Sequence, residues 1–196
     1  MASIVPPTPS DGSVRRRLTR IVVTGSESTG KTTLANSIAE YYGVAWIPEF
    51  ARDYAENKDE PLAADDVEPI AAGQIAREDA AFRNASGVIV LDTDVVSTMV
   101  YAEHYYGDVP GWIEQAARER LADLYLLCDT DVPWVADQVR DAQHHRRQVH
   151  DLFVQRLAQL AATVRVVGGT TSPDQRLKHA LRHIEDWRQS ARTSFA

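Results

Sequence analysis

A glycine-rich segment near the start of the chain carries the residue types that bind phosphate. Residues 25–33 read GSESTGKTT; they follow the apolar run 21–23 and precede a helical pattern. A strand, a loop and a helix in this order, with the spacing G-x-x-x-x-G-K-[ST], indicate a phosphate-binding loop. Backbone N–H groups at a helix N-terminus attract anions, Lys31 adds a compact positive charge, and the hydroxyl of Thr32 can ligate Mg²⁺. The residues expected to contact a nucleotide are Gly25, Ser26, Glu27, Ser28, Thr29, Gly30, Lys31, Thr32 and Thr33.

Acidic side chains follow two of the predicted strands. Asp92 and Asp94 come directly after the apolar run 87–91, and Glu49 follows the short run 44–47. Parallel strands end at one edge of a sheet, and open α/β sheets bind ligands there. Asp92 is therefore expected to hold Mg²⁺ together with Thr32, while Glu49 or Asp94 orients or deprotonates an acceptor hydroxyl. Capping of the next helix is the alternative role for Asp94.

A charge-rich segment, residues 137–148, contains three arginines: Arg140, Arg146 and Arg147. A short lid carrying these side chains would close on the phosphates, exclude water and stabilise spreading negative charge. The alternative for each is an ordinary solvated position at the start of a helix.

Composition limits the class of protein. The chain has 196 residues, of which 44% are hydrophobic and 25% charged, so it can bury the core of one globular domain. We assign this domain to residues 18–196 and a flexible leader to residues 1–17. The net charge of −7 argues against a nucleic-acid or membrane-surface partner. The single cysteine, Cys128, excludes an intrachain disulfide, and the chain shows no signal-peptide core, so we expect a cytoplasmic location.

Apolar runs alternate with helical patterns along the whole domain. Strands are predicted at 21–23, 44–47, 87–91, 124–128 and 164–167. A helix capped by Asp65 is predicted to run to about residue 84, after a loop at 55–64. This alternation predicts an α/β fold of the P-loop NTPase kind, with a five-stranded parallel sheet, helices on both faces and a short arginine-containing lid.

Taken together, these motifs resemble the ribosylnicotinamide kinase domain of NadR proteins, within a wider set of small P-loop ATPases related to nucleoside kinases. The resemblance covers about residues 20–187. The matching stretches are the loop 25–33, EFARDY at 49–54, AGQ at 72–74, LDTD at 91–94 with Thr98, DVPWVADQVR at 131–140, and Arg176.

The resemblance implies ATP-dependent phosphorylation of the 5′-hydroxyl of nicotinamide riboside, with Mg²⁺, to give nicotinamide mononucleotide. The implied catalytic residues are Lys31, Asp92, Glu49, Asp94 and Arg140, the last acting from the lid. The residues implied to contact the nucleoside are Glu49, Arg52, Gln74, Asp94 and Trp134.

Three alternatives stay open at this point. Pro48 stands where some family members carry an aromatic residue, so the acceptor can be a different nucleoside, or the chain can be an ATPase without an acceptor. The third alternative is a switch or binding module in which nucleotide state controls a partner interaction. The sequence also leaves open whether the chain forms a homo-oligomer.

Overall fold

The protein is built on a five-stranded parallel sheet with the strand order β2-β3-β1-β4-β5. The structure is a computed structural model that describes residues 18–132, 143–170 and 172–193. The strands are β1 (Thr19–Thr24), β2 (Trp46–Ile47), β3 (Val88–Asp92), β4 (Leu124–Cys128) and β5 (Val164–Val167). The predicted fold class is thus confirmed. Of the three arginines predicted in a lid, Arg140 lies outside the described residues, whereas Arg146 and Arg147 lie in the helix Gln143–Gln159.

Helices cover both faces of this sheet. One core cluster packs α1 and α7 against the sheet, and a second packs α3, α4, α5 and α6 against the other face. The helices are α1 (Lys31–Tyr42), α2 (Phe50–Glu56), α3 (Val67–Phe82), α4 (Val95–Tyr106), α5 (Gly111–Glu119), α6 (Gln143–Gln159) and α7 (Pro173–Thr193). Among the described residues, none of these helices combines the length and apolar character needed to cross a bilayer.

Strand β1 lies at the centre of the sheet, and its alternating side chains serve both cores. Ile21 and Val23 belong to the cluster with α1 and α7, whereas Val22 belongs to the opposite cluster. Its partners are β3 on one side, with Val23 opposite Asp92, and β4 on the other. The loop that leaves β1 therefore emerges beside the end of β3, as parallel pairing requires.

Helix α2 was not predicted from the sequence, and its last two residues, 55 and 56, overlap the predicted loop at 55–64. It begins at Phe50, where the backbone N–H donates to the side-chain oxygen of Gln74 at 3.0 Å. The Phe50 ring packs so closely on Gly73 of α3 that a Cβ at that position would lie 2.2 Å from the ring. Arg77 of α3 adds an ion pair to Asp53 at 2.6 Å. The two turns of α2 are thus stabilised by contacts with α3, and not by an apolar periodicity in the sequence of α2 itself.

The start of α3 also differs from the prediction. A short 3₁₀ turn, Ala64–Asp66, precedes the helix, which begins at Val67. The carboxylate that caps this turn belongs to Asp66, which accepts the backbone N–H of Ala63 at 2.7 Å and is also paired with Lys58. The prediction that Asp65 is the capping residue is therefore wrong by one position: Asp65 is exposed, and Asp66 makes the contact.

The contact between α2 and α3 leads to a stability prediction. Gly73→Ala would place a methyl group against the Phe50 ring, and overpacking of this kind typically costs about 1–3 kcal/mol of unfolding free energy. Gly111→Ala is the control, because nothing lies within 4 Å of a Cβ there and alanine favours a helix. Chemical denaturation should show a loss for Gly73→Ala and no loss for Gly111→Ala. Equal stability of the two variants would contradict the packing described.

Candidate active site

The segment between β1 and α1 forms an open cradle for an anion. Gly25 has φ +134°, and a Cβ there would lie 2.8 Å from the carbonyl oxygen of Cys128 on β4. Gly30 caps α1 in the left-handed conformation, φ 78°, with no side-chain hydrogen bond to the first turn among the described residues. Both positions favour glycine. The N–H groups of the first turn of α1 are thus left for a ligand, as at other anion-binding helix N-termini.

Within the loop, polar groups converge on the carbonyl oxygen of Ser26. The Lys31 ammonium, only 7% exposed, donates to it at 2.9 Å, and the Thr29 hydroxyl donates to it at 2.7 Å. The hydroxyl of Ser26 is buried without a partner among the described residues. Ser28 adopts φ 53°, a left-handed conformation. The lysine is thereby held inside the loop, beside the space that a phosphate would fill.

The other predicted loop residues occupy its rim. Glu27 accepts a hydrogen bond from the Tyr105 hydroxyl at 3.1 Å, and Thr33 is exposed on the first turn of α1. Tyr101, one turn earlier on α4, donates to the carbonyl oxygen of Gly25 at 3.4 Å. These two tyrosines were not predicted as part of the site. The signal in the sequence was their separation of four residues, which places both on one face of the helix that follows β3.

A partly buried hydrogen bond joins the loop helix to the end of β3. The hydroxyl of Thr32 donates to Oδ2 of Asp92 at 2.6 Å. Asp92 is 1% exposed, and its Oδ1 has no hydrogen-bond partner among the described residues. Burial raises the pKa of this carboxyl; the Thr32 hydrogen bond and Lys31 lower it, and Glu49 raises it.

The donor set of Thr32 and Asp92 fits Mg²⁺. A hydroxyl and a free carboxylate oxygen are hard oxygen ligands, and Mg²⁺ is usually held by one or two such side chains together with phosphates and water. No group of three or more metal-ligating His, Cys, Asp or Glu side chains exists in the described part of the chain. A nucleotide and water would supply the remaining oxygen ligands.

The structure brings Glu49 and Arg52 to the same place. Glu49 directly precedes α2, and its carboxylate lies 3.9 Å from the Arg52 guanidinium. Arg52 in turn lies 3.5 Å from the hydroxyl oxygen of Thr32. The charges of Glu49 and Arg52 both act on the pKa of Asp92, so these groups lie near one another at one edge of the sheet. Lys31, Thr32, Asp92, Glu49 and Arg52 thus form the assembled part of the predicted site.

Asp94 faces the protein interior instead. One carboxylate oxygen accepts the backbone N–H of Val96 at 3.1 Å and so caps α4; the other accepts the Tyr125 hydroxyl at 2.6 Å. Burial raises its pKa to about 6. Because both oxygens are engaged, this geometry favours the capping role over proton transfer to an acceptor.

Gln74 also has both ends of its side chain engaged. Its oxygen accepts the N–H of Phe50, and its amide nitrogen donates to Glu78 at 3.0 Å. Glu78 is 2% exposed, lies 3.4 Å from Arg120, and has its pKa raised to about 7, mainly by burial and then by the charge of Asp94. Gln74 therefore holds the start of α2 in place, and through this helix it affects the acceptor side of the cleft. In the sequence, this network was indicated by two polar residues, at positions 74 and 78, that lie four residues apart on the buried face of α3.

Arg176 anchors the loop from α7. Only 4% exposed, it donates to the carbonyl oxygen of Thr29 at 3.1 Å and pairs with Asp131 at 2.8 Å. Two further predicted residues, Arg140 and Trp134, lie outside the described residues.

A separate cavity of about 610 Å³ lies along α2. It is lined by Phe50, Asp53, Tyr54, Asn57, Lys58 and Arg77. Its α2 residues recur at helical spacing on a face of the helix different from that of Arg52. The cavity is therefore distinct from the cleft at the phosphate loop.

The sheet order, the loop and the Thr32–Asp92 pair define a P-loop nucleotide-binding domain with a kinase-like fold. Comparison with known families gives the same class. The sequence profile of a family described as AAA domain matches residues 20–176, and the chain belongs to this family.

Individual relatives are NadR proteins. The chain is 32% identical over 143 residues to the trifunctional NAD biosynthesis/regulator protein NadR of Escherichia coli K12, and equally to that of Salmonella typhimurium LT2. Each alignment covers 70% of this chain and 35% of the relative. The chain thus spans about a third of the length of these curated relatives.

Solved structures share the fold. A crystal structure of NadR in complex with NR superposes with a TM-score of 0.72 at 24% identity, covering 88% of this chain and 50% of that one. Thymidylate kinase from Ehrlichia chaffeensis gives a TM-score of 0.61 at 15% identity, covering 85% of this chain and 98% of that one.

The free oxygen of Asp92 leads to a prediction about metal use. Asp92→Asn should lower Mg²⁺-dependent ATP turnover by at least about 10–100-fold, the loss typical even for residues that only support a metal ligand. Thermal stability should be unchanged or higher, because an amide is cheaper to bury than a charged carboxylate. Asp174→Asn, on the exposed start of α7, is the control. Turnover at the wild-type rate would remove Asp92 from the mechanism.

The buried Glu78 leads to a prediction about pH. Its pKa is raised from 4.5 to about 7, so the folded state binds the proton more tightly than the unfolded state. Stability from this group is present below pH 4.5 and is lost as pH rises to about 7. The expected loss is at most about 3 kcal/mol of unfolding free energy, at 1.36 kcal/mol per pKa unit.

Glu78→Gln isolates this effect, because it keeps the shape and the acceptor for Gln74. Denaturant unfolding of both proteins across pH 4–8 should show a shallower decline for Glu78→Gln, while the exposed control Glu56→Gln follows the wild type. If the stability of Glu78→Gln and that of the wild type depend on pH in the same way, the raised pKa assigned to Glu78 is contradicted.

Proposed function

We propose that the chain is an ATP-dependent kinase that transfers the terminal phosphate of ATP to the 5′-hydroxyl of nicotinamide riboside, giving nicotinamide mononucleotide. The observation that carries the proposal is the hydrogen bond from Thr32 to the buried Asp92, which leaves one Asp92 oxygen without a partner among the described residues, near Lys31 and a second carboxylate, Glu49. The choice of acceptor is supported by relatives named as NAD biosynthesis proteins and by the shared fold of a NadR structure with NR.

On the phosphate side, the chain supplies fixed donors. The N–H groups at the start of α1 would bind phosphate oxygens, and the Lys31 ammonium would exchange the Ser26 carbonyl for a phosphate. Thr32 and Asp92 would hold Mg²⁺, which when bound neutralises charge on the phosphates. A NadR structure with NAD and AMP-PNP supports ATP as the donor for this fold.

On the acceptor side, Glu49 is the better placed base, because Asp94 is engaged by α4 and Tyr125. The acceptor oxygen would bond to the terminal phosphorus as the bond from that phosphorus to the bridging oxygen of ADP breaks. Glu49 would accept the hydroxyl proton and release it to solvent. Arg52, beside Glu49 and Thr32, would contact the transferred phosphate.

Several sequence predictions accompany this proposal unchanged. Arg140 in a lid and Trp134 beside the nucleoside stay predictions, as do the leader at 1–17 and the single domain at 18–196. A cytoplasmic location, the lack of nucleic-acid and membrane partners, and the open question of a homo-oligomer also stay at the level of the sequence.

A direct assay tests the proposed reaction. Purified protein with Mg²⁺ and ATP should convert nicotinamide riboside to the mononucleotide, detected by mass spectrometry, and ADP formation should depend on the added nucleoside. Lys31→Ala is the inactive control, because it removes the ammonium that binds the outer phosphates.

A panel of nucleosides separates the alternatives. Preferential phosphorylation of another nucleoside would keep the kinase and change the acceptor. ATP turnover that is the same with every nucleoside would instead support an ATPase or a nucleotide-dependent switch, and would refute the proposed reaction.

A further inference from the structure

Glu49, the proposed base, lies in a two-residue connection that its own contacts constrain only weakly. This connection, Pro48 and Glu49, joins β2, a two-residue strand at the edge of the sheet, to α2, a helix with no buried residue. Within the described part of the chain, the Glu49 carboxylate makes no capping bond to α2, and its one ion pair is with Arg52 at 3.9 Å. A partly exposed ion pair of this length contributes little. The direction of the carboxylate therefore depends on what holds the backbone around it.

Two side chains of α3 bind the two peptide groups that flank Glu49. The carbonyl oxygen of Pro48 accepts a hydrogen bond from Nη1 of Arg77 at 3.2 Å. The N–H of Phe50 donates to the side-chain oxygen of Gln74 at 3.0 Å. Residues 74 and 77 are three apart and so are neighbours on the surface of α3. One helix thus holds the backbone both before and after Glu49.

Arg77 is in turn oriented by α2. Its Nη2 pairs with Asp53 at 2.6 Å, and its guanidinium lies over the Phe50 ring, 4.9 Å from the ring centroid. A guanidinium presents its donors in a rigid fork, so the bond to Asp53 fixes the direction in which Nη1 points. Arg77 therefore links the residue that follows β2 to the body of α2, across Glu49.

We propose that Arg77 is a positioning residue for the acceptor reaction: by binding the Pro48 carbonyl, it fixes the backbone of Glu49 and directs the carboxylate at the acceptor hydroxyl. The inference rests on the proposed function, in which Glu49 accepts the hydroxyl proton. Arg77 lines the cavity along α2, which is distinct from the cleft, so it acts through Glu49 and not on the substrate. A displacement of about 1 Å in a reacting group can cost about 100-fold in rate, which makes a contact outside the cleft important for turnover.

Steady-state kinetics with Mg²⁺, ATP and nicotinamide riboside test this role. Arg77→Met removes the bonds to Pro48 and Asp53 but keeps an unbranched side chain on the Phe50 ring. It should lower kcat by about 10–100-fold. The KM for the nucleoside and the affinity for Mg²⁺-AMP-PNP should stay within about threefold of the wild type, because a misplaced base affects the transition state and not ground-state binding.

The control is Arg83→Met, the same substitution at the exposed C-terminal end of α3. It should match the wild type in kcat, KM, AMP-PNP affinity and melting temperature. A general weakening of the fold by Arg77→Met would instead lower the melting temperature and the AMP-PNP affinity together with kcat, and that result would overturn the inference.

A second background separates the positioning of Glu49 from any other effect of Arg77. Glu49→Gln should lower kcat by about 100–10,000-fold, the usual contribution of a general base. Arg77→Met added to Glu49→Gln should then cost less than about threefold more, because no carboxylate is left to position. A loss as large as in the wild-type background would show that Arg77 acts independently of Glu49 and would overturn the inference.

Other outcomes distinguish this inference from the proposed function. A kcat of Arg77→Met within about twofold of the wild type, or a wild-type kcat for Glu49→Gln, would overturn the inference and leave the kinase in place. A wild-type protein without nucleoside-dependent ADP formation would overturn both. If another nucleoside is phosphorylated in place of nicotinamide riboside, the same comparisons made with that nucleoside decide the inference.

Arg77→Lys covers the case in which the methionine variant does not fold. It keeps the positive charge, but a single ammonium lacks the fork that binds Pro48 and Asp53 at fixed angles, so kcat should again be lower than that of the wild type. A wild-type kcat in a folded Arg77→Lys variant would overturn the inference. Failure of both variants to fold would show a structural role and would also overturn it.

Discussion

The hydrogen bond between Thr32 and Asp92 is the interaction on which the rest of the site depends. It connects the first turn of α1 with the last residue of β3 across the central strand. The bond is available only because β1 and β3 are parallel neighbours, which bring the start of one helix beside the end of another strand. Glu49 and Arg52 extend the same edge from the neighbouring strand β2. Sheet topology thus determines which side chains meet.

Much of this arrangement could be predicted from local sequence. Buried parallel strands are short continuous apolar runs, and the runs at 124–128 and 164–167 match β4 and β5 residue for residue. The loop motif combines glycine positions, a lysine and a hydroxyl at set spacing, so it needs no tertiary information. Asp92 was placed correctly beside the loop because the carboxyl ends of parallel strands share one edge.

Features that depend on contacts between distant segments could not be predicted. Helix α2 is two turns long and is held by the Phe50 ring on Gly73, which no periodicity reveals. The direction of Asp94 is decided by Tyr125, a residue on another strand that turns the carboxylate away from the cleft. The burial of Arg146 likewise depends on how α6 packs, whereas the sequence favoured Arg140 of the same segment.

The interior of the phosphate loop has a thermodynamic consequence. The Lys31 ammonium already donates a hydrogen bond to the Ser26 carbonyl, and one oxygen of Asp92 already accepts a hydrogen bond from Thr32. A nucleotide must therefore displace the Ser26 carbonyl from Lys31 before the ammonium can bind a phosphate. This exchange contributes less to the heat of association than contacts with groups that have no partner among the described residues, such as Oδ1 of Asp92. The same internal bonds hold the side chains of Lys31 and Asp92 in position, so less side-chain ordering is needed when a nucleotide binds.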